Sequence, residues 1–202
     1  TIVNHRAEMG QGIRTSLVMV AADELGADWD RVCVEQAPGD HDRYGNQNTD
    51  GSRSMRHWFD PMRRAAASAR TMLEQAAAQQ WSVPVEECKT GVHVVEHRPS
   101  GRNLGFGELA ATARELPVPP RSTLALKSRE EWRYLGKEAG PYNGVNGDRV
   151  TRPMAIDGED IVHGRAVFGA DVSFDNMLYA VVARPPVLSL IHISEPTRLG
   201  MI

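Results

Sequence analysis

Cysteine is scarce in this chain. Cys33 and Cys88 are its only two, and a spacing that wide suits neither a metal-ligand pair nor the clustered thiolates of an iron–sulfur centre. They are read as two buried free thiols rather than as a disulfide. Long apolar runs are missing too, so no segment has the length of a membrane-spanning helix. Charge of one sign is not in excess: the formal net charge is -3 over 202 residues. That supplies no general attraction to nucleic acid or to an anionic membrane, and any anion binding has to be local. The opening residues, TIVNHRAE, show neither an initiator methionine nor a signal-peptide pattern. The expectation is a start cut from within a longer protein, which leaves the compartment open. What is present is ordinary: 41% hydrophobic and 24% charged residues suit one globular domain, or one and a piece.

Along the chain the pattern alternates between strand and helix, and the expected fold class is α+β. TIVNHRA alternates apolar and polar residues as a strand does, and Ile13, Leu17, Val20, Ala21 and Leu25 then recur at helical spacing. Gly26 supplies the stop. RVCVEQA (31–37) reads as a second strand and residues 38–54 as an extended polar loop, long enough to suggest a function. From about Ser54 to Trp81 the alanine-rich stretch is the clearest helix; Asp60-Pro61 either starts it or kinks a helix begun nearer Ser54. GVHVVEH (91–97) is strand-like, SGR turns, and residues 105–116 form a short helix. The proline-, glycine- and charge-rich stretch from Pro117 to Arg152 reads as a connector. Two further strands are expected in GRAVFGADV (164–172) and MLYAVVARPPV (177–187).

Two short stretches can carry chemistry. In EMGQGIRT (8–15), Gly10 and Gly12 bracket Gln11 at a strand-to-helix turn. Free N–H groups and the helix dipole favour an anion above such a turn. Glycine lets a ligand approach the main chain, and the Gln11 amide can both donate and accept. An ordinary glycine-flanked helix start explains the same residues. In TDGSRS (49–54), a glycine and hydroxyls precede the long helix and offer a second set of donors, or merely a capping arrangement. Together the two termini could clamp one polyanionic ligand.

EMGQGIRTSLVMVAADEL, followed by YGNQNTDGSRS and an alanine-rich helix, resembles the large molybdenum-cofactor-binding subunits of the xanthine dehydrogenase and aldehyde oxidase family, in its isoquinoline 1-oxidoreductase beta-subunit type. The stretch IDGEDIVHGRAVFGADVSFDNMLYAVVARPPV resembles the start of that family's α/β hammerhead domain. The resemblance implies a partial molybdopterin-binding domain over 1–116, a connector over 117–152 and the start of a hammerhead-like domain over 153–187. It places Gly10, Gln11 and Gly12, and Thr49, Gly51, Ser52 and Ser54, against a molybdopterin in its cytosine dinucleotide form, and gives no role to Asp50 or Arg53. It implies oxidation of an aldehyde or N-heterocycle with oxygen drawn from water, and electrons passed to a small iron–sulfur partner subunit. The cofactor would carry that chemistry. The family's glutamate base and metal-side turn lie outside these residues, so no catalytic or metal-binding residue is assigned, and the segment alone should be inactive. A reading from another class is a non-enzymatic module holding a nucleotide or phosphate on the same two helix termini.

Other polar residues are read plainly. Glu8 is taken as a solvated carboxylate at a strand end. His93 and His97, four apart on an expected strand, would stand roughly 13 Å apart, too far for one zinc ion. His41, His57 and His163 are taken as surface or loop residues. After Val187 the sequence reads LSLIHISEPTR (188–198), which looks like a translated sequencing adapter; residues 188–202 are expected to be non-native.

Overall fold

The computed structural model describes residues 1–136 and 155–182. The first strand, β1 (Ile2–Asn4), leads through a glycine turn into α1 (Ile13–Leu25), and the chain returns in β2 (Val34–Gln36), which pairs parallel with β1 in the register Ile2–Val34 to Asn4–Gln36. A parallel pair needs a crossover, and α1 is that crossover. The long loop that follows holds only one helical turn, α2 (His41–Tyr44), capped by Asp40. Then α3 (Arg53–Trp81) runs for 29 residues, about 43 Å at 1.5 Å per residue. Pro61 lies inside it, so the helix begins at Arg53 and carries the proline in its third turn.

Every residue of α1 from Leu17 to Glu24 is buried, so α1 is the central helix of the first half, and α3 packs along it. Ala66 and Ala67 are buried on α3, and further along it Ala76, Ala77 and Ala78 are buried in the core that the helix shares with the second half. At Gly26 glycine is obligatory. Its φ is +81° and an added Cβ would stand 2.7 Å from the Gly91 carbonyl oxygen.

The other half is a three-stranded antiparallel sheet of β3 (Cys88–Thr90), β4 (Val94–His97) and β5 (Arg102–Gly105), covered by α3 and by α4 (Phe106–Arg114). Leu73, Ala77, Cys88, Val95, Phe106 and Leu109 form its core. The strand expected from residue 91 starts at Val94, because Gly91 to His93 form the hairpin loop, with His93 left-handed at φ +61°. The SGR turn is followed at once by β5, a strand with little apolar signal that pairing with β4 creates.

The stretch expected as a connector is fastened down where it is described. The Asp23 carboxylate accepts from the backbone N–H groups of Arg133 (2.8 Å), Tyr134 (3.1 Å) and Leu135 (2.9 Å). Glu24 accepts from Arg63 Nε (2.9 Å), Arg70 Nη1 (2.9 Å) and the Lys127 N–H (2.8 Å). The Tyr134 hydroxyl donates to the Ala27 carbonyl at 2.9 Å. These buried carboxylates at the end of α1 hold residues 125–135 against the helix pair.

Residues 155–182 contain one short α-helix, α5 (Gly158–Val162), a single 3-10 turn (Gly169–Asp171) and no strand. The strands expected over 164–172 and, in its described part, 177–187 are therefore not formed. A strand exists only with a ladder partner, and none is present among the described residues: Leu178, Tyr179, Val181 and Val182 are 88–97% exposed. Residues 183–202, with the expected adapter-like tail, lie outside the described residues, as do 137–154. Both cysteines are free, as expected, but only Cys88 is buried; Cys33 is exposed beside the edge strand β2. No helix among the described residues is long and apolar enough to cross a membrane.

Candidate functional site

The two sequence motifs, 34 or more residues apart in the chain, meet in space. Between β1 and α1 lies the turn of residues 5–12, and it rests on the loop 46–54 that feeds α3. Ala7 donates its N–H to the Gln47 carbonyl at 2.9 Å. Arg6, only 2% exposed, donates from Nε to Ser54 Oγ at 3.0 Å and from its two terminal nitrogens to the carbonyls of Asn46 and Asn48. Thr49 Oγ1 lies 2.7 Å from the Ala7 carbonyl and 2.9 Å from Ser54 Oγ. Counting protons orients this chain of bonds. Thr49 has one hydroxyl proton and gives it to the Ala7 carbonyl, so Ser54 donates to Thr49 while accepting from Arg6. The cationic donor at its head strengthens each bond along it. Underneath, buried Asn4 and the side chain of Gln36 both donate to the Arg6 carbonyl, at 2.7 and 3.1 Å.

The Gly-Gln-Gly turn differs from its expected form in one respect. Glu8 is not a free solvated carboxylate: Oε1 accepts from the N–H groups of Gly10 (2.7 Å) and Gly12 (3.0 Å), and Oε2 from that of Arg14 (2.8 Å). Burial pushes its carboxyl up, but the backbone donors, Arg14 first, outweigh that and hold it below the ordinary glutamate value. Three of the donors at the start of α1 that could receive a phosphate are thus already occupied by the protein's own anion. Gln11 is exposed; Oε1 accepts from the Met9 N–H (2.7 Å) and Nε2 donates to the Ala7 carbonyl (3.0 Å). One donor proton and one lone pair of its amide remain for a ligand. Gly10 and Gly12 are left-handed, at φ +99° and +86°, and an added Cβ at either meets nothing within 4 Å, so their faces are open.

The second motif is divided in the same way. Thr49 and Ser54 spend their hydroxyls on the protein, whereas Gly51 and Ser52 are exposed. Gly51 and Ser52 are consecutive left-handed residues, with φ +44° and +58°, and Ser52 is a serine in a conformation that L side chains disfavour. The N-terminus of α3 has no side-chain cap. Asp50 and Arg53, which had no assigned role, form a half-exposed ion pair at 3.0 Å, worth about 0–1 kcal/mol at the surface.

An open cleft of about 830 Å³ lies beside the first turn, lined by Glu8, Gly10, Arg14 and Gln36 on one side and by Asp160 and Phe168 on the other. A smaller hollow, about 230 Å³, sits under the second loop among Arg6, Arg53, His57 and Trp58. No group of three or more His, Cys, Asp or Glu side chains suited to a metal occurs among the described residues. His93 accepts from the Asp28 N–H at 3.3 Å and stacks on Phe106, and His97 bridges Ser100 and Glu87, so both are structural.

Sequence reasoning missed Arg6, Glu8, Asn4 and Gln36 as architects of the site. Glu8 left a signal, a carboxylate just ahead of a helix start. Arg6 left less, because nothing in the sequence says that a charged residue following a strand is buried.

The fold is an α+β domain in which two glycine-bearing loops, each opening a helix, are tied together by hydrogen bonds. Over residues 1–150 the chain matches the family described as the molybdopterin cofactor-binding domain, and it belongs to that family. It is 36% identical to the beta chain of isoquinoline 1-oxidoreductase from Brevundimonas diminuta, over 94% of this chain and 27% of that protein. It is 32% identical to the B component of nicotinate dehydrogenase from Pseudomonas putida, over 91% of this chain and 14% of the other. A third relative, 28% identical over 90% of this chain and 22% of its own length, is a membrane-bound aldehyde dehydrogenase of Gluconacetobacter polyoxogenes whose name specifies pyrroloquinoline quinone. The chain thus spans about a quarter or less of the length of these curated relatives. Among solved structures it is similar to quinoline 2-oxidoreductase from Pseudomonas putida 86, with 21% identity and a TM-score of 0.44 over 57% of this chain and 15% of that one; at that level the likeness adds nothing to the family assignment.

Proposed function

We propose that this chain forms part of the cofactor-binding wall of a molybdenum hydroxylase large subunit. The observation that supports the reading is the joining of the two motifs: the bonds from Arg6 through Ser54 and Thr49 to Ala7 tie the two loops together, and Gly10, Gly12 and Gly51 on those loops are each open. The residues fit a flat, hydrogen-bonding ligand. Gly10, Gln11, Gly12, Gly51 and Ser52 would touch it, and Thr49 and Ser54 would hold the loop in shape. They fit a phosphate poorly at α1, where Glu8 holds the donors. That weakens the phosphate-binding module as a rival, since it needs both helix termini.

The ligand in this reading is a molybdopterin in its cytosine dinucleotide form, and when bound it supplies the two-electron oxidation of an aldehyde or N-heteroaromatic substrate with oxygen from water. This chain's residues bind and orient; none of them handles the proton. A small iron–sulfur subunit would take the electrons, and the division into cofactor-binding segment (1–116), connector (117–152) and hammerhead-like start (153–187) is part of the same proposal.

The test is to purify the complete subunit and measure bound molybdenum, released pterin and released cytosine nucleotide, with extractable quinone alongside. Near-stoichiometric molybdenum and pterin are expected, with an iron–sulfur protein copurifying. Quinone in place of pterin would overturn the reading, and pterin without cytosine would correct the nucleotide form.

A further inference from the structure

Three backbone N–H groups at the start of α1 converge on one side chain. The carboxylate of Glu8 receives Gly10, Gly12 and Arg14 at 2.7, 3.0 and 2.8 Å. Successive backbone N–H groups in a turn conformation make a concavity that ordinarily holds an anion from outside. Here the anion comes from the chain itself. Two consequences follow from charge and geometry. The carboxylate restrains the left-handed conformations of Gly10 and Gly12, and so fixes which way their open faces point. It also neutralises the positive end of α1, so that a second anion brought to the same donors would meet a like charge within a few ångströms.

We infer that Glu8 is a positioning residue of the site: it locks the Gly-Gln-Gly turn in its ligand-ready shape and closes the α1 N-terminus to phosphate, so that the turn recognises a ligand through the uncharged Gln11 amide and the glycine faces. This rests on the reading that the turn is a ligand wall. A plain helix cap would stabilise α1 and do nothing more; a positioning residue changes what the turn binds.

The experiment has two arms. In the first, backbone amide exchange and amide chemical shifts are followed in the 202-residue chain and in Glu8→Ala and Glu8→Gln, with and without millimolar inorganic pyrophosphate. Exchange at Gly10, Gly12 and Arg14 is expected to accelerate at least about tenfold in Glu8→Ala and less in Glu8→Gln, which keeps one carbonyl acceptor. Protection from Leu17 to Glu24 should persist, showing that α1 is still folded. Pyrophosphate should move those three amides in Glu8→Ala and leave the native protein unmoved. Unchanged exchange in Glu8→Ala, or native protein that responds to pyrophosphate at the same amides, overturns the inference. In the second arm, the complete subunit carrying Glu8→Ala should lose most of its bound pterin and Glu8→Gln should recover part of it. Full pterin occupancy in a folded Glu8→Ala subunit would leave Glu8 a cap and overturn the inference. Native subunit without pterin would instead sink the ligand reading, while the first arm still decides whether Glu8 closes the helix end.

Discussion

Removing the Glu24 carboxylate should be the most damaging single change on the α1–α3 interface. Its side chain is 1% exposed, and the guanidinium groups it pairs with are 12% (Arg63) and 11% (Arg70) exposed, each at 2.9 Å. The same carboxylate accepts the Lys127 N–H at 2.8 Å. Glu24→Ala therefore strands two buried cations and a backbone donor at once. Deleting one partner of a buried ion pair costs about 3–5 kcal/mol, a large share of the roughly 5–15 kcal/mol by which a domain is stable. Glu24→Gln keeps the shape and one good acceptor, and should cost less, about 1.5–3 kcal/mol for a charge-assisted bond weakened to a neutral one. Arg53→Ala, at the half-exposed pair with Asp50, is the control and should cost no more than about 1 kcal/mol. Urea unfolding read by tryptophan fluorescence measures all three. Trp132 is well placed to report, since the Arg63 guanidinium lies 5.3 Å from its ring centre. Glu24→Ala that unfolds at the same urea concentration as Arg53→Ala would refute the argument that this pair anchors residues 125–135.

Further outcomes follow from the same geometry. Arg6→Lys keeps the charge but not the planar fork, so one ammonium cannot serve Asn46, Asn48 and Ser54 together; faster proteolysis within residues 46–52 is expected, and a wild-type cleavage rate would refute the tie. Gly26→Ala should destabilise by more than the about 1–2 kcal/mol of a left-handed L-residue, because its Cβ meets the Gly91 carbonyl, whereas Gly12→Ala in the open should cost only that backbone term; equal losses in thermal or urea melts would contradict this. His5 is held below its ordinary pKa, near 6.5, by burial and then by the Arg6 charge, and His93 by burial and then Arg31. The unfolded chain takes up these protons first, so stability should fall as pH drops below about 6.5 and the loss should be complete below the folded values. His5→Phe, which keeps a ring against Trp58, should flatten part of that slope. Glu8, whose folded value is depressed, stabilises above the ordinary glutamate range near 4.3, and its contribution should vanish only as pH falls through its lower folded value.

The elements that were legible from sequence are those whose signal is local. Helix α1 announces itself through the spacing of Ile13, Leu17, Val20 and Ala21 and the stop at Gly26, and α3 through its alanines; both form as expected. The β5 strand was not legible, because Arg102, Asn103 and Gly105 have little strand preference and acquire it only by pairing with β4. The opposite error occurs at 177–182, where Leu178, Tyr179, Val181 and Val182 have every local mark of a strand and no partner to pair with among the described residues. Local preference and ladder pairing are separate requirements, and sequence periodicity reports only the first.

The candidate site divides along a similar line. Glycines are visible in a sequence because their use is conformational, and Gly10, Gly12 and Gly51 do adopt left-handed backbone. What a turn offers a ligand depends on which of its donors the protein has already used, and that is a matter of contacts across the chain. Glu8 takes three donors at α1, and Ser54 and Thr49 take each other, Arg6 and Ala7. Two motifs that look alike in sequence, each a glycine turn opening a helix, thereby become chemically different. The first presents an amide and bare glycine faces over a helix end already neutralised. The second presents an exposed Ser52 over a helix end with no side-chain cap. A symmetrical clamp for a polyanion needs both ends open. The structure instead leaves one end with three of its donors taken by Glu8 and the other without a side-chain cap.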